Sequence, residues 1–337
     1  MVQRTPKHSM RYIIGLMAIT ATLLGWSGCK NDPGQGNHTD PPKNPVEVKQ
    51  IDVSFNADSA YAFVAKQVSF GPRIPGSGAH VAAMQYLKTK LESYCDTVYI
   101  NHGDIRKKDE TKVIVNNIVG SFNPASTNRV VLAAHYDTRP MADEDPENPT
   151  TPADGANDGG SGVGVLLEIA RQLQELHPER GVDLVLFDQE DGGDRRGDPG
   201  SWCLGSQFWG QWAKDNGYSA SWGIVLDMVG AKGATFAYEG QSVVYNQSLV
   251  LDVWRTGQKL GYGAYFLNIN GGMITDDHVY MNTFAHIPTI DIIHHDLATA
   301  NGFPDHWHRH TDNMDAIDKF TLEAVGHTVL HVVMNRR

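Results

Sequence analysis

Four short segments of the chain, Arg129–Ala134, Val182–Phe187, Gly223–Leu226 and Thr289–Ile293, are dominated by Val, Ile, Leu, Ala and Phe. Runs of this length and composition read as buried strands, because a strand covered on both faces loses the polar alternation of a half-exposed one. Segments with apolar residues at helical spacing lie around them. Helices are expected at Asp58–Phe70 and Ser77–Tyr94, with Asp58 and Ser77 as N-caps, and at Gly160–Leu176, Ser248–Leu260 and Thr321–Met334. A further strand is expected at Lys112–Val119. Strand–helix alternation without an internal repeat implies an α/β fold: a single domain with a central, largely parallel mixed sheet and helices on both faces. Ligands of such sheets sit beyond the carboxyl ends of the strands, so the residues that follow each strand carry the functional information.

After the first strand comes His135-Tyr136-Asp137, and the second runs into Asp188-Gln189-Glu190-Asp191-Gly192-Gly193-Asp194. The third leads straight into Asp227, and the fourth leads through a loop to Trp307-His308. Asn157-Asp158-Gly159-Gly160 opens a helix between the first two strands. A solvated acidic turn explains any one of these, and a lone His after a strand is more often a hydrogen-bonded structural residue. Four strands delivering His or carboxylate to one end describe instead a mixed nitrogen and oxygen donor set, of the sort Zn²⁺ takes.

The 337 residues carry a formal charge of −11, which argues against nucleic acid as a partner, since phosphate binding needs clustered Lys and Arg. The 3 Cys are too few for a disulfide framework, and the sequence leaves open whether Cys95 and Cys203 pair. Residues 1–28 read as an export signal of the lipoprotein type. Lys7 and Arg11 flank the start of the apolar stretch Ile13–Trp26, which is too short to span a bilayer, and small residues precede Cys29. Cys29 is then expected to carry lipid and anchor the protein to a membrane. The protein would be exported: a periplasmic or membrane-anchored lipoprotein of a Gram-negative-type bacterium. Residues 29–50, rich in Pro, Gly, Asn and Asp, read as a flexible tether, and 51–337 as the folded domain.

The order HYD, NDGG, D-x-E-D, LDM, DDH and WH resembles the zinc-dependent exopeptidase (phosphorylase/hydrolase-like) fold. More closely it resembles the glutaminyl-peptide cyclotransferases, or glutaminyl cyclases, of animals and their bacterial relatives, from about Phe55 to the C-terminus. Val225–Gly230 (VLDMVG) and Gly271–His278 (GGMITDDH) are the long, specific stretches. The resemblance implies conversion of the N-terminal Gln of peptides or proteins to pyroglutamate with release of ammonia. It implies one zinc per chain, held by Asp158, Asp191 and His308, with Asp191 standing where animal cyclases have Glu. Glu190 would be the general base and acid, with Asp227 and Asp276 as further catalytic carboxylates. Trp307, Trp202 and Thr275 would belong to the substrate pocket. His135 matches a second-metal ligand of the related aminopeptidases, with Asp137 as its orienting carboxylate. Asp276 is expected within hydrogen-bonding range of Asp227, the two sharing a proton.

Two other readings stay open. A di-zinc aminopeptidase of the same fold needs His135, Asp158, Asp191, Asp227 and His308, and all five are present. Against it stands Asp276, where aminopeptidases of this group usually have Ser. An inactivated domain serving as a surface binding module would have lost a ligand or the Glu, and none is missing. Asp188, Asp194 and Asp198 are expected to serve only loop solvation or backbone capping.

Overall fold

The computed structural model describes residues 50–195, 197–296 and 298–336. The expected signal, Cys29 and the tether up to Lys49 lie outside them. The first helix, α1 (Ala57–Val68), is capped by Asn56, whose side chain accepts the Ser59 N–H at 3.0 Å. The expected cap, Asp58, lies instead in the first turn, where its charge faces the positive end of the helix dipole. Ser77 does cap α2 (Gly78–Glu92), accepting from the His80 N–H.

A hairpin follows, β1 (Thr97–Arg106) and β2 (Lys112–Phe122), paired antiparallel from Thr97 opposite Ser121 to Arg106 opposite Lys112. Next come β3 (Arg129–His135), α3 (Ser161–Leu176), β4 (Gly181–Phe187), α4 (Leu204–Asp215) and β5 (Gly223–Asp227). The chain continues through β6 (Phe236–Tyr238), α5 (Gly240–Lys259), β7 (Phe266–Asn270), α6 (Asp277–Thr283), β8 (Thr289–Ile293) and α7 (Lys319–Asn335). Helix α5 starts eight residues before the expected Ser248 because its first two turns are separated from the rest by a kink at Asn246 (φ −153°, ψ 69°). Among the described residues no helix is long and apolar enough to cross a membrane.

The main sheet has the order β1-β2-β4-β3-β5-β8. Strands β4, β3, β5 and β8 are mutually parallel, and the β1–β2 hairpin adds to β4 antiparallel. The four strands singled out in the sequence are therefore the parallel core of a mixed sheet. Alternate residues of β3 feed two hydrophobic clusters. Val130, Leu132 and Ala134 pack with residues of α1, α3, α5 and α7, while Val131 and Ala133 pack with Trp209 of α4 and Met281 of α6. The sheet is thus covered on both faces, and burying one such large side chain contributes about 1.5–3 kcal/mol.

In-register parallel pairing brings the strand ends to one level. His135 lies opposite Phe187, and Asp227 opposite Ile293. Gly162 lets α3 approach this edge closely, since a Cβ there would lie 2.1 Å from the Leu226 carbonyl oxygen. The loop before α3, which carries Asp158, is thereby held over the same end of the sheet.

Candidate active site

The chain leaves β4 at Phe187 and turns sharply at Gln189, whose φ of +60° is unusual for a residue with a side chain. Cys203 (+53°), Met228 (+49°) and His308 (+55°) share this left-handed conformation around the same strand ends. Backbone strain of this type persists only where surrounding contacts over-determine it. Here one such contact is visible. The main-chain N–H groups of Glu190 and Asp191 donate to the two oxygens of buried Asp137, at 3.0 and 3.2 Å. Asp137, expected to orient His135, has a carboxylate oxygen 3.6 Å from His135 Nδ1, and it pins the Glu190–Asp191 backbone as well.

Asp158, Asp191 and His308 converge, with ligating atoms within 4.8 Å of one another and all three buried. His308 Nε2 stands 3.1 Å from Asp191 Oδ1 and 3.7 Å from Asp158 Oδ2. Its Nδ1 donates to Asp143 Oδ1 at 3.1 Å, which leaves the Nε2 lone pair facing the two carboxylates. Asp158 is itself fixed through its backbone: the N–H groups of Asn157 and Asp158 donate to Asp312 at 2.7 and 3.0 Å. Gly159, at φ +84°, permits this loop, because a Cβ there would lie 2.2 Å from the Asp137 carbonyl oxygen.

A second set shares Asp158. His135 Nε2 lies 3.1 Å from Asp158 Oδ1 and 3.3 Å from Asp227 Oδ1. Asp158 therefore offers one oxygen to each of two histidines, the arrangement of a carboxylate able to bridge two cations. Two buried acids facing one imidazole whose far nitrogen is held by a third carboxylate fit zinc in donor type and number.

Without a cation the site keeps protons. Burial works against a charged His308, but the negative charge of Asp191 and hydrogen bonds to Asp143 and Asp191 outweigh it and raise its pKa to about 9. Burial, reinforced by the charges of Asp191, Asp276 and Asp277 and opposed by His135, holds Glu190 well above the ordinary carboxylate range. Burial and the charges of Asp158 and Asp276 push Asp227 up to about 7, against the lowering contact with His135.

A cavity of about 350 Å³ opens over these groups, and Glu190, Asp227, Asp276, Trp202, Thr275 and Trp307 are among its lining residues. Trp307 stacks on the His308 ring with centroids 3.8 Å apart and on Phe303 at 4.4 Å. Trp202 lies parallel to the same imidazole at 6.3 Å, with the Arg139 guanidinium 4.7 Å over its indole. Every residue singled out for catalysis, metal or substrate is thus gathered at one place.

Asp276 acts on Asp227 through its charge, which helps to raise the Asp227 pKa. Asp227 contacts His135, whereas Asp276 caps α6 through the Asp277 N–H at 2.6 Å and meets the buried Asp291. Asp188 is likewise no solvated loop residue. It is fully buried, 2.8 Å from His80 Nε2, and accepts the Asn116 N–H at 2.9 Å. Asp198 is a cap, accepting the Gly200 N–H at 3.0 Å, and Asp194 lines the cavity. Cys95 and Cys203 are both free, and the Cys203 thiol donates to Glu190 Oε1 at 3.3 Å. Sequence reasoning missed Asp143, Asp312 and Asp291.

The model of peptidase family M28 matches residues 117–333. Among solved structures, a Zn-dependent exopeptidase from Parabacteroides distasonis is 49% identical with a TM-score of 0.82, covering 84% of this chain and 99% of that one. Porphyromonas gingivalis glutaminyl cyclase is 50% identical with a TM-score of 0.79, over 82% and 96%. A leucine aminopeptidase precursor from Bacteroides thetaiotaomicron is 46% identical with a TM-score of 0.80, over 85% and 99%. Among curated proteins, the glutaminyl-peptide cyclotransferase of Bos taurus is 24% identical over 75% of both chains. The chain spans 54% of the length of the Bacillus subtilis aminopeptidase YwaD and 22% of that of the uncharacterized Escherichia coli protein YfbL.

Proposed function

Since the chain belongs to peptidase family M28, a zinc-dependent exopeptidase fold that it shares with glutaminyl cyclases about half identical to it, we propose that it converts N-terminal glutamine of peptides or proteins to pyroglutamate. The observation that carries this reading is the placement of Asp276. Its ligating oxygen lies within 4.8 Å of Glu190, at the wall of the cavity. A carboxylate there accepts hydrogen bonds from an incoming α-amine and turns it toward the substrate's own side-chain amide.

One zinc, held by Asp158, Asp191 and His308, would supply Lewis-acid polarisation of the γ-carbonyl. The remaining chemistry belongs to side chains. Glu190 takes a proton from the α-amine as the new C–N bond forms. It gives that proton to the amide nitrogen as the old C–N bond breaks and ammonia leaves. A proton affinity lifted toward neutrality by burial suits a group that must act first as base and then as acid. Asp227 lines the same cavity, and the Asp137 clamp fixes the Glu190 backbone. Trp307, with Trp202, walls the reacting amine and amide together and keeps water from competing.

A second reading rests on one observation: the His135, Asp158 and Asp227 set is complete and shares Asp158 with the first. That is the layout a two-metal aminopeptidase needs. Against it, burial and the charges of Asp158 and Asp276 raise the Asp227 pKa to about 7 in the metal-free site, so a cation at this second set has to displace a proton near neutral pH. The test is to incubate the purified protein with a Gln-initiated peptide and weigh the product. Loss of ammonia supports the cyclase, and loss of the first residue the aminopeptidase. The N-terminal features add that the domain from 51 onward is exported and anchored by lipid on Cys29. Mass spectrometry of the mature N-terminus tests that part.

A further inference from the structure

Asp291 stands in the middle of β8, fully buried, and its main-chain N–H donates to Ser242 Oγ at 2.9 Å. Neither of its carboxyl oxygens has a hydrogen-bond donor, and neither does Oδ2 of Asp276. The ligating atoms of Asp276, His278 and Asp291 lie within 4.8 Å of one another, so the Asp276 and Asp291 carboxyls are close neighbours. Around them, His278 Nε2 is 3.2 Å from Glu239 Oε2, and His278 Nδ1 is 3.6 Å from Asp291 Oδ2. Glu239 is already satisfied as an anion. It accepts the N–H groups of Gln241, Ser242 and Ile274 and the Ser242 hydroxyl, and these bonds with His278 lower its pKa to about 2 against the opposing effect of burial.

Two ionised carboxylates cannot share so dry a site with three oxygens left bare, since each unpaired buried acceptor is costly and the charges repel. One proton between them removes both penalties. Its holder is decided by the other contacts: Asp276 has the Asp277 N–H at 2.6 Å to support a negative charge, whereas the nearest donor group to Asp291 is His278 Nδ1, at 3.6 Å. We infer that Asp291 is a carboxylic acid whose O–H donates to Asp276 Oδ2, fixing the Asp276 carboxylate as an acceptor at the cavity wall. Burial and the charges of Asp276, Asp227 and Glu239 also raise the Asp291 pKa well above the carboxylate range. Asp291 touches no substrate and is a positioning residue. What Asp276 then accepts from rests on the cyclase reading; the protonation of Asp291 does not.

The test compares Asp291→Asn, whose amide donates in the same place, with Asp291→Leu, of similar size and without a donor. Infrared spectra of the zinc-loaded protein with isotope-labelled aspartate, recorded at mildly alkaline pH, should show a protonated carboxyl band that vanishes in the Asn variant. The Asn variant should cyclise a Gln-initiated peptide with kcat within about threefold of the parent. In the Leu variant kcat should fall on the order of 10²-fold with KM and zinc content little changed, as for a misplaced reacting partner. An unchanged carboxyl band in Asp291→Asn, or an Asn variant as impaired as the Leu variant, overturns the inference. Failure of the cyclase reading shows itself separately, as a parent protein that releases no ammonia.

Discussion

Asp143 Oδ1 lies 3.1 Å from His308 Nδ1, on the side of the ring away from Asp158 and Asp191. That contact fixes which nitrogen is free to ligate and how the ring is turned. Asp143 is in turn held by Arg139, which bonds both of its oxygens at 2.8 and 2.6 Å.

Removing that orienting carboxylate should weaken zinc without removing a ligand. Asp143→Ala is expected to lower zinc affinity about 10–100-fold. Titration with a competing chelator measures it, while circular dichroism checks that the fold is kept. An affinity equal to the parent's would mean that stacking on Trp307 alone orients the ring.

Zinc binding should also be coupled to protons. In the metal-free protein His308 has a pKa of about 9, against 6.5 for an ordinary histidine. The folded state therefore binds more protons than the unfolded chain between these values. The stabilisation from charged His308 is full below pH 6.5 and lost as pH rises through about 9. Asp227 and Asp312, raised by burial to about 7 and 8, act with the same sign, because folding keeps protons that the unfolded carboxyls have released. Metal-free protein should thus lose thermal stability from pH 6.5 to 9, while the stabilisation added by zinc grows over the same range. Calorimetry in buffers of different ionisation enthalpy should detect proton release on zinc binding. A zinc-induced shift that is flat across this range would contradict the coupling.

The strand ends were legible because runs such as Ile224–Leu226 stop directly at a charged residue, and a buried run that stops so has placed that residue at a sheet edge. The carboxylates behind the site were not, because Asp143 and Asp312 come from irregular segments without periodicity and act through partners far away in sequence. Strand β1 was missed since its residues alternate between exposed and part-buried at the sheet edge, and α4 since it starts at Leu204 without a side-chain cap. Asp183 and Asp291 both interrupt otherwise apolar strands, and an acid there must find a partner. Asp183 has Arg129 at 2.7 Å and Ser121 at 2.5 Å, whereas the Asp291 carboxyl is left facing other acids.

Glu190→Gln keeps the shape of the side chain but cannot carry a proton. Turnover should fall by about 10²–10⁴-fold while bound zinc is unchanged, the usual loss when a general acid–base is removed. Steady-state kinetics beside metal analysis separates this from loss of the site. A fully active Gln variant would assign the proton transfer to another group.

The substitution that best separates the two reactions is Asp276→Ser. Asp276 is one of the charges that raise Asp227 to about 7. Replacing it should let Asp227 ionise at lower pH, and an ionised Asp227 beside His135 and Asp158 completes the second ligand set. Cyclisation should collapse, because the acceptor that turns the amine toward the amide is gone. Zinc stoichiometry should rise from one toward two per chain as the metal concentration is increased, although peptidase activity need not appear with it. Product mass and metal content on the same sample decide the matter. If the Ser variant still cyclises at nearly the parent rate with one zinc, then Asp276 only caps α6, and the main physical argument for a cyclase over an aminopeptidase is lost.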